Sequence, residues 1–208
     1  KKFIFLHMGM TGHIRIEGQE ANWGSKKFEG KEIKPDTQWP PRFTYLSFKA
    51  GKYIAYFCDS RKFGSCFLAD NMDDLDALAP DCLSCDDDTI IKDQILPALT
   101  QQRLGIKAIL LDQKRAVSGV GNWVADEVLY HVKMHPDQAQ LTLEEATSVW
   151  KKLNELMKQA VESQEKGICY PDDWLFHCRW SKKKAAKDFR GRSLSFVTSG
   201  GRTAAIVA

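Results

Sequence analysis

The period of the apolar residues changes partway along this chain, and that change limits the folds open to it more than any other feature. Up to Leu68 the apolar residues come in short or alternating runs: Phe3 to His7, His13 to Glu17, Phe43 to Phe48, Tyr53 to Cys58 and Cys66 to Leu68. Turn-forming stretches separate them, at Gly9 to Gly12, Trp39-Pro40-Pro41 and Ala50-Gly51. Alternation sends successive side chains to opposite faces of a sheet, so the pattern predicts an antiparallel sandwich or barrel. Beyond Ile90 the spacing turns helical. Ile90 to Gln101 is amphipathic, although Pro97 should kink or shift it. Ile106 to Asp112, Val120 to Val132 and Leu143 to Ser163 follow, the last with Thr142 as N-cap and two acids, Glu144 and Glu145, where the helix dipole favours them. Trp174, Leu175 and Phe176 suit one more short helix. From Ser193 strand character returns around Gly200-Gly201, which reads as a hairpin turn. The expected class is α+β, ordered sheet, helices, hairpin.

Charge marks the seams. The formal net charge of +3 does not announce a nucleic-acid partner, but its distribution is uneven. From Asp70 to Asp93 the only base is Lys92, and this aspartate-rich stretch reads as a linker. From Arg179 to Arg202 the only acid is Asp188, a basic end that suits phosphate contact as well as it suits a solvated face. No apolar run approaches the roughly 20 residues of a membrane span. Lys1 to Leu6 is too short for a signal peptide and reads as the inside of a strand. Ala205 to Ala208 likewise stops within an apolar run, so both ends read as cut. Cys82-Leu83-Ser84-Cys85 is a CxxC with no second pair to complete four ligands. Cys169 and Cys178 lie outside ligand-pair spacing, and reduced thiols in an intracellular compartment with no metal are expected.

The most informative segment runs from Ile106 to Gln113 and on through Val117-Ser118-Gly119-Val120-Gly121-Asn122 to Glu127. One helix ends near Asp112 and another begins at Val120. Gly119 and Gly121 at that start allow another backbone to come close, and the exposed N–H groups of a first helical turn bind phosphate. Asn122 adds an amide and Lys107 a charge. On residue types alone, a phosphate clamp and an ordinary helix turn both remain open.

The run IKAILLDQ…VSGVGNWVADEVLYHVKMHP resembles the helix–two-turn–helix signature of the formamidopyrimidine-DNA glycosylase and endonuclease VIII family. Three further blocks follow the family's order: His7-Met8-Gly9-Met10-Thr11-Gly12, Asp59-Ser60-Arg61-Lys62-Phe63-Gly64 and Ser199-Gly200-Gly201-Arg202-Thr203. The resemblance spans nearly the whole chain. It implies a bifunctional glycosylase and abasic-site lyase that removes oxidised purines from duplex DNA, working as a monomer without a cofactor. It divides the chain into an incomplete β-sandwich catalytic domain (1–70), an acidic linker (71–89), a helix–two-turn–helix domain (90–180) and a finger hairpin (181–208). It also implies roles. Met10, Arg61 and Phe63 match residues that fill the gap left by an everted nucleotide, and Lys107, Asn122 and Arg202 match the grip on the flanking phosphates. The types suit these roles, since a thioether and a ring wedge into a base stack and a guanidinium pairs with an orphaned base. Phe63 in a core strand and Met10 as a gap-filler fit the same types. Glu127 matches an acidic position on the clamp helix and reads as structural.

Two departures from the family stand out. Its bacterial finger is usually a four-cysteine zinc site, but Trp174 to Ala208 holds only Cys178, and WLFHCRW…GGRTAAIV resembles the zincless finger of plant and fungal members. From that likeness a nuclear location is expected, with Lys182-Lys183-Lys184 in a mobile loop. The family's nucleophile is an N-terminal Pro followed by Glu, whose secondary amine attacks deoxyribose C1′ to give an iminium that serves as an electron sink. Neither residue is present, so the chain as given is expected to bind damaged or abasic DNA and cut nothing. The alternative is a non-catalytic damaged-DNA-binding remnant of the same fold.

Overall fold

The computed structural model describes residues 2–19, 27–28, 31–32, 38–73, 78–101, 103–180 and 186–208. Lys182-Lys183-Lys184, Asp74 and Asp76 lie outside the described residues. Contacts divide the chain into two units, Lys1–Asp74 and Leu75–Ala208.

The first unit is built of strands. β1 (Phe3–His7) and β2 (His13–Ile16) come first, then β3 (Lys27–Phe28) and β4 (Lys31–Glu32), which form a short ladder with each other. β5 (Thr44–Ala50), β6 (Tyr53–Cys58) and β7 (Ser65–Ala69) complete the set. β1 pairs antiparallel with β7, setting Phe5 opposite Phe67 with their rings stacked at 5.0 Å. β2, β6 and β5 form a second antiparallel sheet in that order. This topology fixes where the candidate site stands. The turn from β1 to β2 and the loop from β6 to β7 both pass between the same two sheets. They start and finish at paired residues, His7 opposite Ser65 and His13 opposite Cys58, so they lie side by side.

The second unit is helical with a closing hairpin. Asp87 caps α1 (Asp88–Ile90), accepting from the N–H of Thr89 and Ile90. A π-helical turn, Ile91–Ile95, then leads into α2 (Leu96–Thr100). Pro97 stands at the start of α2. A proline has no N–H for the carbonyl one turn back, and the wide turn before it absorbs the mismatch, so the expected shift takes the form of a π-turn. α3 (Ile106–Leu111), α4 (Asn122–His131) and α5 (Leu143–Glu165) follow. Thr142 opens α5 with a capping box: its hydroxyl accepts from the Glu145 N–H at 3.2 Å, and Glu145 accepts from the Thr142 N–H at 2.8 Å. One stripe of α5, Val149, Trp150, Leu153, Leu156 and Ala160, is buried with Ile106, Ile109 and Leu110 of α3 and Val124 and Val128 of α4 in a single core.

The linker expected over 71–89 is corrected in its second half. Cys82 is 0% and Cys85 9% exposed, and both belong to the helical core. Backbone bonds run from Cys82 N to Ser118 O at 3.1 Å and from Ser118 N to Pro80 O at 2.9 Å. The aspartates of this stretch face solvent while the two cysteines, one helical turn apart, pack inward as small apolar groups. A short 3-10 helix (Leu175–His177) precedes the hairpin of β8 (Leu194–Ser199) and β9 (Arg202–Val207). Gly200 and Gly201 both have positive φ, 57° and 70°, as a two-residue hairpin turn of this hand requires. A Cβ on Gly200 would stand 3.0 Å from the Ala108 Cα, so glycine lets the hairpin tip lie against α3.

Candidate nucleic-acid interface

In the first unit a single carboxylate organises both crossover loops. Asp59, 1% exposed, accepts from the Thr11 hydroxyl on one loop and from the backbone N–H of Arg61 at 3.1 Å and Gly64 at 2.7 Å on the other. The Thr11 hydroxyl bond, helped by the backbone N–H groups of Gly64, Arg61 and Phe63 and opposed by burial, holds the Asp59 carboxyl down at about 2. Gly9 has a φ of 58°, and a Cβ there would come 2.7 Å from the Phe63 carbonyl carbon, so the loops touch backbone to backbone. On this fixed base stand Met10, 58% exposed, and Phe63, 57% exposed, with the Arg61 guanidinium 5.0 Å from the Phe63 ring centre. The structure therefore brings Met10, Arg61 and Phe63 together on adjoining loops. Neither apolar side chain is in a core, which sets aside the core-strand and gap-filler readings.

In the second unit the turn from α3 to α4 is stapled by Gln113. Its Oε1 accepts from the Gly119 N–H at 2.8 Å, and its Nε2 donates to the Val120 carbonyl at 2.9 Å. Gly119 takes a φ of 88°, which few other residues adopt readily, and a Cβ on Gly121 would meet nothing within 4 Å. Gly121, the N-cap of α4, is exposed, while Asn122 after it turns toward β9.

Lys107 requires a correction. The resemblance implies that it lends its charge to a phosphate, but its ammonium is buried, donating to Asp126 Oδ1 at 2.6 Å and to the Thr203 carbonyl at 2.8 Å. The side chain turns to partners on two other elements, Asp126 of α4 and Thr203 of β9. Burial pulls its pKa down and the Asp126 carboxylate opposes that pull. Asn122 donates its Nδ2 to the same Thr203 carbonyl at 3.2 Å, and its Oδ1 is buried without a partner. Arg202 is exposed at the start of β9. Glu127 is structural, as read from the sequence: its two carboxylate oxygens accept from the Leu175 and Phe176 N–H groups at 2.8 Å and cap the 3-10 turn.

Sequence reasoning missed Asp126. It accepts from Lys107, from Arg179 Nη2 at 2.6 Å and from the Ala205 N–H at 3.2 Å. Those partners lie 19, 53 and 79 residues away, so no local spacing announces it. Gln113 was legible only as part of a motif.

Residues 78–170 match the profile of the formamidopyrimidine-DNA glycosylase H2TH domain. The formamidopyrimidine-DNA glycosylase of Arabidopsis thaliana is 32% identical over 213 residues, covering 99% of this chain and 52% of the relative. That of Deinococcus radiodurans is 34% identical over 165 residues, covering 76% of this chain and 49% of the relative. The chain spans about half the length of these curated relatives. Among solved structures, MutM (Fpg) from Thermus thermophilus superposes with a TM-score of 0.69 at 24% identity, covering 99% of this chain and 74% of that one. The Lactococcus lactis protein bound non-covalently to DNA containing an AP site gives a TM-score of 0.68 at 21% identity, covering 99% and 72%. These superpositions bear out the α+β fold.

Proposed function

The chain belongs to the formamidopyrimidine-DNA glycosylase and endonuclease VIII family, and on that premise we propose that the protein is a bifunctional DNA glycosylase and abasic-site lyase of base-excision repair. Its substrates are oxidised purines in duplex DNA, formamidopyrimidines and further-oxidised guanines first among them. Phe63 and Met10 enter the space left by the everted nucleotide and Arg61 meets the base left behind. Arg202 and the first turn of α4 hold the flanking phosphates, with Asn122 beside them. The nucleophilic amine of such a reaction is assigned to none of these 208 residues, so the share proposed for them is recognition. A nuclear location is proposed with it, on the likeness of the finger to plant and fungal members.

The observation that carries this reading is the pair of apolar side chains, each more than half exposed, on loops fixed to one another by the buried Asp59. A wedge must be rigid before it meets the base stack, because ordering it on contact would subtract from binding. The test is equilibrium binding of the chain to a duplex with a stable abasic-site analogue and to the intact duplex. Phe63→Ala should reduce the preference for the abasic duplex more than it reduces affinity for the intact one. Equal losses on both would remove the wedge. Incubating the chain with a true abasic duplex should leave the strand uncut, and an elimination product would overturn the recognition-only share.

A further inference from the structure

β8 occupies one edge of β9, and among the described residues no strand occupies the other. An open strand edge presents unpaired N–H and C=O groups and is normally shielded. Here side chains stand where a neighbouring strand's backbone would. Lys107 Nζ at 2.8 Å and Asn122 Nδ2 at 3.2 Å donate to the Thr203 carbonyl, and Asp126 Oδ2 accepts from the Ala205 N–H at 3.2 Å. Residues 203 and 205 are two apart, the spacing at which a strand points its groups to one edge. We propose that Asp126 and Lys107 form a positioning pair that sets the register of β9 on α3 and α4 and thereby places Arg202 for phosphate contact. The proposal rests on the reading of the hairpin as a DNA contact.

The chemistry of the cluster supports registration over simple adhesion. Lys107, Asp126 and Arg179 have side chains 0%, 1% and 6% exposed, so two cations share one carboxylate out of water. Apolar packing docks a hairpin more favourably than a buried charge set, which must recover a large desolvation penalty. A polar set supplies direction instead. Sliding β9 by one residue would turn the Thr203 carbonyl and the Ala205 N–H to the other edge and break all three bonds together. Arg202 directly precedes Thr203, so fixing that carbonyl fixes the backbone from which the exposed guanidinium extends.

A double-mutant cycle on binding to the abasic-analogue duplex separates positioning from bulk stability. Asp126→Asn should weaken binding about tenfold when Arg202 is present, the size of one hydrogen bond to a charged group. In the Arg202→Ala background it should change binding by less than about twofold, because the group it positions is gone. Lys107→Met carries the same cycle and leaves Asp126 and Arg179 as a balanced pair in a filled slot, so it remains informative where Asp126→Asn fails to fold. For either variant, equal losses in the two backgrounds overturn the positioning role while Arg202 stands as a contact. No effect of Arg202→Ala itself overturns the finger assignment, and this proposal with it.

Discussion

Asp59 shows how much exposed loop one buried side chain can hold in place. Its carboxylate accepts from donors on both loops, and those loops carry the exposed Met10, Arg61 and Phe63. Because the folded pKa lies below the unfolded value, its contribution is fully present above the unfolded carboxyl value of about 4 and is lost as pH falls through about 2. The Gly64 amide proton, bonded to Asp59 Oδ2, should titrate in NMR with a midpoint near 2. A midpoint near the free-carboxyl value would show that the loops do not depend on this charge. Lys107 teaches the complementary point. Its charge, read from the sequence as available to a phosphate, is committed to Asp126 and the Thr203 carbonyl.

At the scale of elements, the α5 stripe anchors the helical unit that carries the turn from α3 to α4. Leu153 is 1% exposed in the helical core, so Leu153→Ala should destabilise the chain by about 2–5 kcal/mol in denaturant unfolding, through lost transfer energy and a cavity. A loss under about 1 kcal/mol would mean that the core collapses around the gap. This helix was legible in advance because its signals are local: Thr142 and Glu145 are three residues apart, and the apolar stripe repeats at helical spacing. The same locality made Gly200-Gly201 readable as a turn. The residues 78–89 were less legible. Their aspartates dominate the composition, while Cys82, bonded through its backbone to Ser118, and Cys85 are buried in the helical core.

For the whole molecule, the hairpin is held by side chains of the helical unit, through Lys107, Asn122 and Asp126, at the edge of β9. Trp174 to Ala208 carries one cysteine, Cys178, so thiolate ligation of zinc has too few donors there. Metal analysis of the purified chain should give no stoichiometric zinc, and a chelator should leave its melting temperature unchanged. One equivalent of zinc per chain, or a chelator-dependent melt, would overturn the zincless reading. One unit carries the loops of Met10, Arg61 and Phe63, the other the turn from α3 to α4 and the hairpin.

The sequence by itself determined the order of sheet, helices and hairpin, the cap of α5, the glycine turns and the four motif blocks, because periodicity, capping and positive φ act over a few residues. The pairing of strands far apart in sequence, β1 with β7 and β2 with β6, is what brings Met10, Arg61 and Phe63 onto adjoining loops. Tertiary structure alone decided which charges face solvent. Lys107 and Asp126 look like ordinary surface residues in the chain, and only the approach of β9 to α3 and α4 removes them from water. Burial of an ionisable group depends on partners distant in sequence, and no local pattern records them.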